Sequence, residues 1–139
     1  MTTFYHWTTG ARARAIVQSG FGAEDEVVQT VYRVPVEWWA EREPGEQPDP
    51  STRIDHVGVR LSSARMSATE RAEFNPSGTT LLALEARPTV ARDIEAREWL
   101  QDSARREFIV PRGLLNGRVM VTIAERRPSA PSAAPDPGS

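Results

Sequence analysis

The chain has 139 residues, 39% of them hydrophobic and 26% charged, which suits one globular domain with its own core. Its formal charge of −2 gives no overall attraction to nucleic acid or anionic membrane, and with neither an apolar span nor a signal peptide we expect a cytoplasmic protein without a membrane partner. All seventeen basic residues are arginine, cysteine is absent and only two histidines occur, which argues against Schiff-base chemistry, Walker-type phosphate loops, disulfides and any metal site.

The first predicted element is a short apolar and aromatic strand that contains Tyr5, His6 and Trp7. Thr8 or Thr9 then caps a helix over residues 10–19, and Gly20 ends it in a left-handed conformation. His6 therefore lies near a helix N-terminus, where backbone donors favour a phosphate or a ribose oxygen. The alternative is that His6 is a structural residue with its hydrogen bonds satisfied within the fold.

A second strand is predicted at residues 27–34, where β-branched residues dominate and Pro35 ends the run. Residues 36–40 follow as a single helical turn that carries Trp38 and Trp39. Because adjacent side chains point to different sides, at most one of this pair is expected in the core. The other either stacks on a base or nicotinamide or fills a gap beneath the next loop, which spans residues 41–53 and is rich in proline and charge.

A third strand is predicted at residues 54–61, and it ends in the hydroxyl pair Ser62-Ser63. Gly58 within this strand marks a bulge or a close approach by another backbone or a ligand. A capping box at residues 67–70 predicts a short helix through residue 74, followed by a turn at 75–78.

Residues 79–86 are nearly all apolar and predict a buried central strand. Residues 89–99 are interpreted as helix or irregular structure, and 101–104 as a turn. Strands are then predicted at 105–110, where Glu107 lies among apolar residues before Pro111, and at 118–124. Residues 128–139 contain almost only Pro, Ser, Ala and Gly and are expected to be disordered.

Several short strands with one clear helix and no regular alternation of strand and helix predict an α+β fold with a mostly antiparallel split-sheet sandwich. The single domain is expected to cover residues 1–127.

Three segments resemble, in order and spacing, the motifs of the ADP-ribosyltransferase fold, nearest to its small bacterial members and the related RNA 2′-phosphotransferases. They are Tyr5-His6-Trp7-Thr8-Thr9 with the helix that follows, Gly58 to Ser63, and residues 106–111 with Leu114-Leu115-Asn116. The resemblance covers roughly residues 4–125. It implies a transferase that uses NAD as a substrate and transfers ADP-ribose to an acceptor, as toxins and modifying enzymes do.

The resemblance also implies roles for individual residues. His6 would hold the ribose of NAD, the strand end at Ser62-Ser63 would support the nicotinamide, and Glu107 would promote the transfer. The cofactor-binding set that it implies is Tyr5, His6, Trp7, Thr8, Arg60, Ser62 and Ser63, with Glu107 and His6 as the catalytic pair. We expect the three strand ends that carry these groups to converge on one cleft.

The residue types agree with this chemistry. Cleavage of the bond between nicotinamide and ribose develops positive charge on the sugar, and a nearby carboxylate stabilises it. The alternative for Glu107 is a salt bridge to Arg105 or Arg60. The alternative for the whole protein is a degenerate member that binds a nucleotide or a protein without turnover, which Trp7 after the histidine and Arg60 near the place of a tyrosine would allow.

Overall fold

The computed structural model of the chain describes residues 1–65, 78–101 and 106–126. The strands of these ranges are β1 (Thr2–Thr8), β2 (Glu26–Tyr32), β3 (Arg53–Ser62), β4 (Thr80–Ala86), β5 (Glu98–Gln101), β6 (Arg106–Val110) and β7 (Val119–Arg126). The helices are α1 (Gly10–Ser19), α2 (Val36–Glu41) and α3 (Pro88–Glu95), with short 3-10 helices at Ala23–Asp25, Pro50–Thr52 and Arg112–Leu114. The predicted helix and turn at 67–77, the turn at 102–104 and the tail at 128–139 lie outside the described residues.

The seven strands form one sheet in the order β5-β6-β3-β1-β4-β7, with β2 paired to β3 beside this path. Each of these strand pairs is antiparallel. The prediction of an α+β fold with a mostly antiparallel sheet is therefore confirmed. The described strands join through β3 into one hydrogen-bonded sheet, where the sequence had suggested a sandwich, because this ten-residue strand is long enough to bridge three neighbours.

Two different strands, β1 and β2, pair with the same edge of β3. Val59 pairs with Glu26 of β2 and with Val110 of β6, so β2 and β6 lie on opposite edges of β3. Ser62 pairs in the same way with β1 on one side and β6 on the other. It follows that β1 and β2 share a single edge of β3, end to end, with a wedge where β1 leaves it.

The main core lies on one face of the sheet. Its buried residues come from β1, β3, β4 and β6 and from the two longer helices, and they include Phe4, Leu61, Leu84, Ile94 and Phe108. The rings of Phe4 and Phe108 meet edge to face, with centroids 5.4 Å apart. A smaller group around Trp7 and Leu81 lies apart from this core. β4 is buried along nearly its whole length, as its apolar sequence predicts.

Helix α1 begins and ends as the sequence predicts. Of the two candidate caps, Thr9 is the one used, and its hydroxyl accepts from the Arg12 N–H at 3.2 Å. Gly20 ends the helix with φ of +89°. A Cβ at Gly20 would stand 2.6 Å from Asn116 Oδ1, so the position needs glycine for space as well as for its backbone angle.

Two other predictions differ from the structure, and the expectation that at most one of Trp38 and Trp39 lies in the core is fulfilled. The ambiguous stretch 89–99 contains α3 and the start of β5, and Gln101 is the last residue of that strand rather than part of a turn. The loop predicted to run to Arg53 ends earlier, because a 3-10 helix precedes β3. Neither Trp38 nor Trp39 joins the core, since the two rings pack edge to face on each other and Trp39 contacts Tyr32. Among the described helices none is long and apolar enough to cross a membrane.

Candidate functional site

A cavity of about 430 Å³ opens where β1 leaves β3 and β2 begins. This volume lies in the range of small-molecule sites. The residues that line it are Tyr5, His6, Trp7, Asp25, Val27, Val28, Gln29, Arg60, Ser62 and Ala64. The wedge in the sheet thus opens into a concave site large enough for a small molecule.

Five residues of the predicted binding set line this cavity, namely Tyr5, His6, Trp7, Arg60 and Ser62. Thr8 and Ser63 do not. Thr8 is buried and accepts at its carbonyl from the Thr79 N–H, and the Ser63 hydroxyl accepts from the Arg106 N–H at 2.8 Å. Both hydroxyl residues hold strands together next to the cavity.

The ring of His6 is fixed from two sides. Its Nδ1 lies 2.8 Å from the carbonyl oxygen of Arg60, which has no proton to give, so Nδ1 carries the hydrogen and donates it. The Phe21 ring meets it edge to face at 5.7 Å. Burial lowers the pKa of His6, against the opposing effects of the Arg60 carbonyl and of Asp25. The imidazole is therefore neutral at pH 7, with Nε2 as a hydrogen-bond acceptor.

Glu107 is fully buried and forms an ion pair with Arg60, whose Nε donates to the carboxylate at 2.6 Å. The Arg60 guanidinium also lies over the Trp99 ring, 5.4 Å from its centroid. The salt bridge that the sequence offered as an alternative for Glu107 is thus present. Arg60 stands between Glu107 and the cavity, because Arg60 lines the cavity and Glu107 does not.

The registers show on which side of the sheet each group leaves its strand. Tyr5, Ser62 and Glu107 are aligned across three neighbouring strands and share one face. Side chains alternate along a strand, so His6, next to Tyr5, leaves the opposite face from Glu107. His6 still lines the cavity because the sheet is open at the wedge. The expected convergence of His6, Glu107 and Ser62-Ser63 on one cleft is therefore seen only for His6 and Ser62, because neither Ser63 nor Glu107, which pairs with Arg60, lines the cavity.

Asp25 is a cavity residue that the sequence analysis passed over as part of an acidic stretch. Its carboxylate accepts from Arg12 Nε at 3.0 Å, from a second Arg12 nitrogen at 2.6 Å and from the Gly22 N–H at 2.7 Å. Burial opposes the ionisation of Asp25, but the hydrogen bonds from Arg12 and Gly22 outweigh it and hold its pKa below the ordinary value. Asp25 is thus an ionised carboxylate in the cavity wall.

No pattern in the sequence marks Asp25 as different from its neighbours Glu24 and Glu26. Its position depends on Arg12, thirteen residues earlier on α1, and on the turn at Gly22. The apolar wall formed by Val27 and Val28 is equally invisible in the sequence, because it arises from the place where β2 begins along β3.

Within the described ranges no three His, Asp or Glu side chains are grouped so as to hold a metal ion. Comparison of the chain with protein-family models, with curated proteins and with solved structures found no match.

Proposed function

We propose that the protein is an NAD-dependent ADP-ribosyltransferase, a glycosyltransferase that transfers ADP-ribose to an acceptor and releases nicotinamide. The observation that carries the proposal is the cavity at the wedge, which gathers His6, Arg60 and Ser62 with the rings of Tyr5 and Trp7. Neutral acceptors, a guanidinium and aromatic walls are the groups that a dinucleotide with hydroxyls, phosphates and flat rings requires.

The reaction breaks the bond between ribose C1′ and the nicotinamide nitrogen, and the bond electrons leave with the nicotinamide. An acceptor nucleophile then bonds to C1′ and loses its proton. A carboxylate close to C1′ stabilises the charge on the sugar in the transition state. Glu107 is the candidate for this task, and for it to touch the sugar Arg60 has to move away from the carboxylate, because the side chain is fully buried in the pair.

This same ion pair favours a second candidate, a nucleotide- or protein-binding module without turnover. If Glu107 stays paired with Arg60, its role is only to hold the Arg60 side chain in position at the cavity wall. In that case the site would bind a nucleotide through His6 and Arg60 and leave the nicotinamide bond intact.

Two measurements on the unsubstituted protein separate the candidates. We expect calorimetry to detect NAD binding and chromatography to detect nicotinamide release above the rate of the buffer alone. Binding without release supports the second candidate. If neither NAD binding nor nicotinamide release is detected, both candidate functions are contradicted.

A further inference from the structure

The Asp25 carboxylate has acceptor capacity beyond its contacts within the protein. An ionised carboxylate offers about four lone-pair positions. Arg12 and the Gly22 N–H supply three donors to it. The side chain is only 2% exposed, yet Asp25 lines the cavity.

His6 and Asp25 together make this end of the cavity a site for hydrogen-bond donors. His6 uses Nδ1 on the Arg60 carbonyl, and in the described part of the chain its Nε2 has no hydrogen-bond partner. Both residues line the same cavity, and the charge of Asp25 raises the pKa of the imidazole against the larger effect of burial. A neutral imidazole nitrogen and a carboxylate are two acceptors, so they select a group that presents two donors side by side.

The charge at this end excludes a phosphate. Arg12 is shared between Asp25 and Glu24, whose carboxylate lies 2.8 Å from a second nitrogen of the guanidinium. Two carboxylates on one guanidinium leave a net charge of about −1, which repels an anion. Arg60 on β3 is the cation of the lining, and its pairing with Glu107 leaves a net charge of about zero there, so an anionic group of the ligand is repelled less at Arg60 than at Asp25.

We propose that Asp25 is a specificity-determining residue whose carboxylate, beside His6, accepts hydrogen bonds from the vicinal hydroxyls of a ribose. The inference rests on the proposed function and adds the orientation of the nucleotide in the cavity. A ribonucleotide lies with its diol at Asp25 and its phosphate toward Arg60. Asp25 takes no part in bond cleavage.

The test compares the binding of AMP and of 2′,3′-dideoxy-AMP by calorimetry. Neither probe contains nicotinamide, so the result does not depend on turnover. We expect the unsubstituted protein to bind AMP about 10- to 100-fold more tightly than 2′,3′-dideoxy-AMP, because only AMP can donate hydrogen bonds from its ribose hydroxyls to the charged acceptor. In Asp25→Ala this ratio should fall toward one through weaker AMP binding, whereas a merely structural role would weaken both probes equally.

The matched control is Glu24→Gln, which removes the other, exposed partner of Arg12 and leaves the cavity wall in place. The Glu24→Gln variant should still bind AMP more tightly than 2′,3′-dideoxy-AMP, by the same ratio as the unsubstituted protein. If Asp25→Ala does not fold, Asp25→Asn retains the shape and should still lower the ratio severalfold, because a neutral acceptor forms weaker hydrogen bonds. Equal affinity for the two nucleotides, no binding of either, or a ratio unchanged in the Asp25 variants overturns the inference. A protein that discriminates but releases no nicotinamide keeps this inference and loses the proposed enzyme.

Discussion

The two ends of β3 differ in their surroundings although they belong to one continuous strand. From Val59 to Ser62 the strand lies inside the sheet, with β6 on one edge and β1 or β2 on the other, and its residues are mostly buried. From Arg53 to Val57 the described pairing is with β2 alone, and side chains alternate between exposed and half-buried. The cavity lies along the inner stretch, where β3 contributes Arg60 and Ser62 to its lining. The site is thus made where one edge of β3 changes its partner from β1 to β2 and a wedge stays open between them.

The largest effect that tests this comparison is expected from Leu61→Ala at the inner end. Leu61 is fully buried in the main core, so its truncation should lower the free energy of unfolding by about 2–5 kcal/mol. Val57→Ala, on the same strand, is the matched change at the outer end, where the side chain is 53% exposed, and should cost only about 0.5 kcal/mol. Urea denaturation measures both. Equal losses would show that the two ends are packed alike.

A smaller loss is expected from Gly58→Ala at the boundary itself. A Cβ there would stand 2.4 Å from the carbonyl carbon of Val110 and 2.7 Å from the nitrogen of Pro111, so backbone would have to shift. Overpacking of this kind costs about 1–3 kcal/mol. Gly113→Ala is the control, because a Cβ at Gly113 meets no atom within 4 Å. If both variants unfold at the unsubstituted protein's urea midpoint, the close approach at Gly58 does not constrain the strand.

The smallest effect concerns pH and the His6 ring. The pKa of His6 is lowered in the fold, so the unfolded chain takes up the proton first as the pH falls below about 6.5. The contribution of the neutral ring to stability is thus complete above that pH and is lost as the pH drops toward the lower folded value. Unfolding free energies from pH 7.5 to 5 should fall more in the unsubstituted protein than in His6→Asn, whose amide N–H replaces Nδ1–H. Parallel curves would contradict a buried, neutral His6.

Local sequence signals predicted much of this fold. β-branched and apolar runs located β2, β3, β4, β6 and β7, and the hydroxyl cap and glycine located α1. Gly58 also indicated the close approach of another backbone correctly. β5 was missed because it is a four-residue strand with an irregular register against β6, and only that pairing defines it.

The candidate site was less visible than the fold. His6 and Ser62 were found because polar groups at predicted strand ends suggested a shared space, whereas Arg60 was included only because its segment resembles a motif of a known fold. Asp25 was not, since its role comes from a contact with α1 that no periodic pattern records. Burial of Glu107 behind Arg60 depends on the register of β3 with β6, and the sequence offered the ion pair only as one of two alternatives.

The proposal that Glu107 promotes cleavage of NAD is tested by nicotinamide release from the Glu107→Gln variant. Glutamine keeps the shape of glutamate and loses the charge, so we expect turnover to fall by about 10²–10³ with NAD affinity little changed. Glu98→Gln is the matched control, because Glu98 also pairs with an arginine, Arg106 of the neighbouring strand, and does not line the cavity. Its release rate should equal that of the unsubstituted protein. Undiminished release by Glu107→Gln would contradict the claim.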